Sequence, residues 1–82
     1  MKAFVYVLKS IRFNKTYTGA TYNVEKRLLE HNRGCNSYAR KFKPWEVIYF
    51  ERFSSVADAR KREKYFKNHA GRNCLRKKLF NK

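Results

Sequence analysis

Acidic residues are scarce in this chain: six Asp and Glu stand against 21 Lys and Arg, leaving a formal net charge of +15. Such an excess attracts polyanions by long-range steering and counterion release, which makes nucleic acid the leading partner. A ribosome-associated protein or one held at a membrane surface carries the same signature, and charge does not separate them. Glycine and proline are also few, three and one, and with 43% apolar residues this excludes a disordered basic tail. Two cysteines in no paired motif exclude a disulfide framework and fit thiols in a reducing compartment. No stretch approaches the roughly 18 apolar residues of a membrane span. The start MKAFVYVLKS meets charge too early for a signal peptide, so a cytoplasmic protein with no membrane partner is expected.

Aromatic residues are what the chain has in quantity, with seven Phe, six Tyr and one Trp among 82 residues. A domain of this length buries only about 60% of the surface its unfolded chain exposes. Rings that each bury roughly 150–250 Å² compensate for the small core. One domain spanning residues 1–82 is expected.

Ala3 to Lys9 reads as a strand apolar on both faces, with Phe4, Tyr6 and Leu8 on one and Val5 and Val7 on the other. A turn through Ser10 to Lys15 leads to a second strand, Thr16 to Ala20. There Gly19 lacks a side chain where a ligand or neighbouring backbone would need close approach. Asn23 is a good N-cap for a helix from Val24 to about Asn32, stopped by Gly34. Cys35 to Pro44 reads as a basic loop in which Tyr38 and Phe42 alternate with Arg40, Lys41 and Lys43. That composition suits a phosphate backbone with unstacked bases, and equally a solvated loop pinned by two rings.

Trp45 to Phe53 reads as a third strand, apolar on both faces and so expected in an interior or well-covered position. Ser55 to Asp58 has capping-box spacing ahead of a helix to about Asn68. Gly71 is expected to break that helix before another, Arg72 to Phe80, with Leu75 and Leu79 facing in and Arg76, Lys77 and Lys78 in solvent. The order is β-β-α-β-α-α, a small α+β fold with helices on a three-stranded sheet whose third-strand direction the pattern leaves open.

Two positions break the patterning. His31 falls in the inward stripe of the first helix with Val24 and Leu28, with Arg27 at its edge. A core histidine satisfied by a backbone carbonyl explains this as well as a functional one does. Glu63 sits among Val56, Ala59 and Phe66 on an inward helix face, where an ionised carboxylate needs a cationic partner or a metal. A structural salt bridge would serve. Another arrangement pairs His31 with Cys35 and His69 with Cys74 as a tetrahedral zinc site, although such sites normally show tighter, more Cys-rich spacing.

Phosphodiester hydrolysis needs a base to orient or deprotonate water, cationic stabilisation of the phosphorane charge and a metal at the leaving oxygen. Two tyrosines, Arg27, His31 and Glu63 are suited to these tasks, and a magnesium ion that keeps most of its waters needs only one carboxylate. Tyr6 in Phe4-Val5-Tyr6, then Tyr17-Thr18-Gly19, Arg27, His31 and Glu63 resemble the GIY-YIG nuclease domain. The similarity is greatest to its small stand-alone bacterial members, which are related to the amino-terminal nuclease domain of an excinuclease component. KRLLEHNRG, KPWEVIYFE and ADARKREKYFK extend the resemblance over nearly the whole chain.

The resemblance implies a central three-stranded antiparallel sheet flanked by helices, and a DNA endonuclease of repair or recombination using one Mg²⁺ or Mn²⁺ held by Glu63. It implies Tyr6 as the base on water, Tyr17 orienting water or phosphate, Arg27 stabilising the transition state and His31 holding or sharing a tyrosine proton. Gly19, Lys26, Arg40, Lys41 and Lys43 are the expected nucleic-acid contacts. Phe4 and Val5 depart from the Gly and Ile of the family motif, and Asn68 or Asn73 is the candidate for a further polar position. A monomer acting on structured or branched DNA, with a protein partner for targeting, is expected. The alternative is a nucleic-acid-binding module that keeps the fold without turnover.

Overall fold

The computed structural model describes residues 2–79, with side chains through Lys78. Strands β1 (Ala3–Ser10), β2 (Thr16–Thr21) and β3 (Trp45–Phe53) form one antiparallel sheet in the order β2-β1-β3. Helices α1 (Val24–Arg33) and α2 (Ser37–Phe42) precede β3, and α3 (Val56–Lys67) and α4 (His69–Leu79) follow it. The expected β-β-α-β-α-α order therefore holds, with the six-residue α2 added inside the stretch read as a loop. Among the described residues no helix is long and apolar enough to cross a membrane.

The alternation in β1 separates two cores. Ala3, Val5 and Val7 pack against Ala59, Phe66 and Leu75 of α3 and α4 on one face. On the other, Tyr6 and Leu8 pack with Trp45 against Val24 and Leu28 of α1 and Phe42 of α2. Each fully buried large side chain contributes about 1.5–3 kcal/mol. The central strand thus needs cover on both sides, as its two apolar faces require.

β3 lies at the sheet edge, not in its interior, and Phe50 is 57% exposed. Its double-faced apolar pattern has a local cause. Val7 pairs with Tyr49 and Leu8 with Val47, so Ile48 is an extra residue in a β-bulge. Ile48 and Tyr49 consequently pack on the same core, which breaks the alternation that would have marked a half-covered strand.

Side chains close the joins. Asn23 Oδ1 accepts from Lys26 N at 3.1 Å at the start of α1. Gly34 ends that helix with a left-handed φ of 82°, a backbone conformation suited to glycine. The Asn32 amide grips Trp45 at both backbone groups, accepting from its N–H at 2.5 Å and donating to its carbonyl at 3.2 Å. Ser55 Oγ accepts from Asp58 N at 3.2 Å.

α4 begins three residues earlier than expected, and Gly71 lies buried inside its first turn. The chain breaks instead at Asn68, extended at φ −86°, ψ 173°, whose side chain accepts from Gly71 N at 2.8 Å. Gly71 is there for close approach: a Cβ on it would lie 1.7 Å from the Tyr65 carbonyl oxygen. Leu75 is buried as expected, while the side chain of Leu79 and all of Phe80 fall outside the described residues.

Candidate active site

Tyr6 occupies the middle of the central strand, only 1% exposed, in register with Gly19 on β2. Its ring crosses the edge strand where no side chain obstructs it: a Cβ on Gly19 would stand 2.6 Å from the Tyr6 phenol oxygen. The close neighbour of Gly19 is thus a side chain, neither ligand nor backbone. Arg27, on α1, donates from Nε to the phenol oxygen at 3.4 Å and from Nη1 to Glu30 Oε1 at 2.5 Å. The Tyr6 contact, the largest influence on the guanidinium, shifts its pKa further upward, so Arg27 stays charged. Burial raises the Tyr6 pKa; Arg27 opposes this, and the charges of Tyr17 and Glu63 add to it.

Tyr17 lies beside Tyr6 with ring centroids 6.3 Å apart, and it meets His31 edge to face with centroids 4.4 Å apart. His31 is fully buried, as the stripe predicts, and Nδ1 donates to the Arg27 carbonyl at 2.9 Å. A carbonyl only accepts, so this contact assigns the Nδ1–H tautomer and leaves Nε2 as an acceptor. Nε2 has no partner among the described residues. Burial lowers the His31 pKa and favours the neutral ring. Both readings of His31 therefore meet in one residue: a carbonyl satisfies one nitrogen, while the other is unpaired among the described residues.

Glu63 comes from α3, which packs against β1 and β2 from the sheet face opposite α1. Its side chain is 23% exposed and pairs with Lys67 at 2.7 Å. The expected inward position is thus realised only in part, and the carboxylate does have a cationic partner. The i,i+4 spacing of Glu63 and Lys67 was the signal for which cation completes the salt bridge anticipated for Glu63, and the i,i+3 spacing of Arg27 and Glu30 was the signal for a contact not anticipated.

Tyr6, Tyr17, Arg27, His31 and Gly19 are brought together, while Glu63 makes no hydrogen bond or ion pair with them and bears on Tyr6 only through the smallest of the influences on its pKa. Lys26, Arg40, Lys41 and Lys43 are exposed and make no hydrogen bond or ion pair with this group. Asn68 is committed to capping α4, and Asn73 lies exposed beside His69. The zinc arrangement does not form: Cys35 is exposed while His31 is fully buried, and no group of three or more metal-ligating side chains occurs among the described residues.

Glu63 does fit one hard cation that retains most of its waters. Lys67 is 52% exposed on its side chain, and an i,i+4 pair of this kind contributes only about 0.3–0.5 kcal/mol, so displacing it costs little.

Comparison with known proteins yields a match of residues 2–78 to the GIY-YIG catalytic domain model. A UPF0213 protein of Clostridium perfringens is 43% identical over 65 residues, covering 78% of this chain and 69% of that protein. A UPF0213 protein of Staphylococcus haemolyticus is 37% identical over 76 residues, covering 92% of each. The solution NMR structure of a UPF0213 protein from Bacillus halodurans has a TM-score of 0.54 at 27% identity, covering 92% of this chain and 82% of that chain.

Proposed function

This chain belongs to the GIY-YIG nuclease family, and on that premise we propose that it is a divalent-metal-dependent DNA endonuclease acting as one catalytic unit over residues 1–82. The observation that carries the reading is the Tyr6 phenol lying in the Gly19 slot, held by a charged Arg27. A simple docking surface has no need to bury a phenol against a guanidinium.

The roles follow from what each group has left to offer. Arg27 uses Nε and Nη1 within the protein, and the rest of its five N–H donors remain for the phosphoryl oxygens as charge builds there. Tyr6 keeps its proton at neutral pH, as any ordinary phenol does, and burial raises its pKa further; as the base on water it must first lose that proton. A Mg²⁺ or Mn²⁺ held by Glu63 would supply positive charge at the scissile phosphate and would offset the carboxylate charge that adds to the raised Tyr6 pKa. Tyr17 orients water or phosphate beside Tyr6, and the free Nε2 of His31, whose ring packs against Tyr17, accepts a proton or hydrogen bond.

Structured or branched DNA, as met in repair and recombination, is the first substrate class to screen. The test is nicking of supercoiled plasmid and branched oligonucleotides across a Mg²⁺ and Mn²⁺ titration. Wild type should nick only with metal, and Glu63→Ala should lose nicking while keeping its circular dichroism spectrum. Activity that persists in Glu63→Ala overturns the assignment. Binding without cleavage in either metal would instead identify a non-catalytic module.

A further inference from the structure

A groove of about 760 Å³ runs between β2 and α4, separate from the cluster around Tyr6. Its polar lining is Asn14, Thr16, Thr18, Lys67, Arg72 and Arg76, over an apolar floor that includes Phe66 and Leu75. We propose that this groove holds the sugar-phosphate backbone of the DNA strand immediately to one side of the scissile bond. The inference rests on the nuclease reading only for which strand lies there; affinity of the groove for a polyanion stands on its own lining.

Three observations place a strand there. First, the lining has one sign of charge: it contains no Asp or Glu, and among the described residues neither Arg72 nor Arg76 is in an ion pair. Arg72 and Arg76 are one turn apart on α4 and both face the groove, so they present guanidinium forks along one line. Second, hydroxyl and amide donors from β2 and the β1–β2 turn stand with them around an apolar floor. Phosphate oxygens seek the former, and sugar carbons suit the latter.

Third, the groove lies on the sheet face opposite Tyr6 but adjoins the candidate active site at two points. Thr18 precedes Gly19, the residue that Tyr6 crosses, and Lys67 lies one helical turn from Glu63 and is joined to it at 2.7 Å. Among the described residues no strand pairs with β2 on its outer side, so a nucleic-acid strand leaving Tyr6 can pass round that edge into the groove. Arg76, which the sequence pattern assigns to a solvated helix face, is by this account a DNA contact.

The experiment uses the full chain and fluorescein-labelled branched and single-stranded DNA, with anisotropy read in EDTA over a salt series. Arg72→Ala/Arg76→Ala should weaken binding about tenfold and reduce the slope of log K against log salt by roughly 1 to 2, the share of two phosphate contacts. Arg60→Ala/Lys61→Ala, two exposed cations outside the groove with the same total charge loss, should leave most of the slope in place. Arg72→Lys/Arg76→Lys should restore it, and circular dichroism melts check the fold of each. Should the alanine pair not fold, Arg72→Gln/Arg76→Gln gives the same readout.

An unchanged slope in the groove variants, or an equal loss in both charge-matched pairs, overturns the proposal. Nicking assays on the same proteins separate the two readings. Metal-dependent cleavage with groove-independent binding rejects the groove alone. Groove-dependent binding by a wild type that never cleaves supports the groove and rejects the nuclease.

Discussion

Gly19→Ala is the smallest change that addresses the site directly. The added Cβ would lie 2.6 Å from the Tyr6 phenol oxygen and 2.8 Å from Cζ. Ordinary contact begins near 3.5 Å, so the phenol must retreat by roughly 1 Å. Tyr6 is 1% exposed and has no solvent to move into, so the strain falls on β2 and on the Arg27 hydrogen bond. Overpacking of this kind costs about 1–3 kcal/mol, which lowers Tm by about 4–8 °C for each kcal/mol in a domain of this size. A misplacement of about 1 Å at a reacting group costs on the order of 10²-fold in rate.

Gly19→Ala should therefore bind labelled DNA in EDTA like wild type yet nick about a hundred times more slowly with metal. A thermal melt and a double-mutant cycle with Tyr6→Phe complete the assay. Phe removes the atom at 2.6 Å, so the stability losses of the two changes should be non-additive, with the double variant more stable than their sum predicts. Wild-type turnover in Gly19→Ala, or additive losses, would refute the account of Gly19 as the slot for Tyr6.

Two further predictions concern the supports. Gly71→Ala should destabilise by about 3 kcal/mol, because the atoms its Cβ meets at 1.7 to 2.7 Å are backbone of Tyr65 and Phe66 and cannot turn aside. Helix propensity alone predicts a gain of about 1 kcal/mol, so a urea melt decides by sign. Burial holds the His31 pKa below its usual value, so as pH falls below about 6.5 the unfolded chain takes up the proton before the folded one does. Stability should be full above that pH and fall below it by at most about 1.4 kcal/mol per unit until the folded pKa is reached. His31→Gln should remove this component, and flat wild-type melts between about pH 7 and 5.5 would contradict a neutral buried ring.

Local chemistry was legible where a single residue commits the backbone. Asn23, Gly34 and Ser55 sit at helix ends as their side chains or φ preferences dictate. Asp58, shorter than the Glu or Gln of a full capping box, takes part in the observed cap only through its N–H to Ser55. Positions decided by tertiary contact were harder. α2 is too short to stand alone; Asn36 caps it, and Trp45 Nε1 donates to the Ala39 carbonyl at 3.0 Å. The i,i+4 spacing of Tyr38 and Phe42, whose rings lie 5.0 Å apart, was its trace in the sequence.

Gly71 looks like a helix breaker until the neighbouring turn of α3 is known to press on it. The bulge at Ile48 likewise hides the edge position of β3, because one extra residue reverses the alternation. For the site, inward His31 and the irregular Glu63 were visible from periodicity. The meeting of Tyr6 with Gly19 depended on strand register, and the groove on where α4 comes to rest.

The two-point grip of Asn32 on Trp45 has a consequence for how this scaffold can be varied. By holding a backbone N–H and a backbone carbonyl at once, the amide stands in for a strand neighbour and staples the end of α1 directly to the start of β3. Arg27 and His31 are thereby indexed to the sheet by a side chain instead of by the length of the connection between them. The exposed turn at Cys35 and Asn36 becomes a natural place to splice in a longer segment without detuning the helix that carries them.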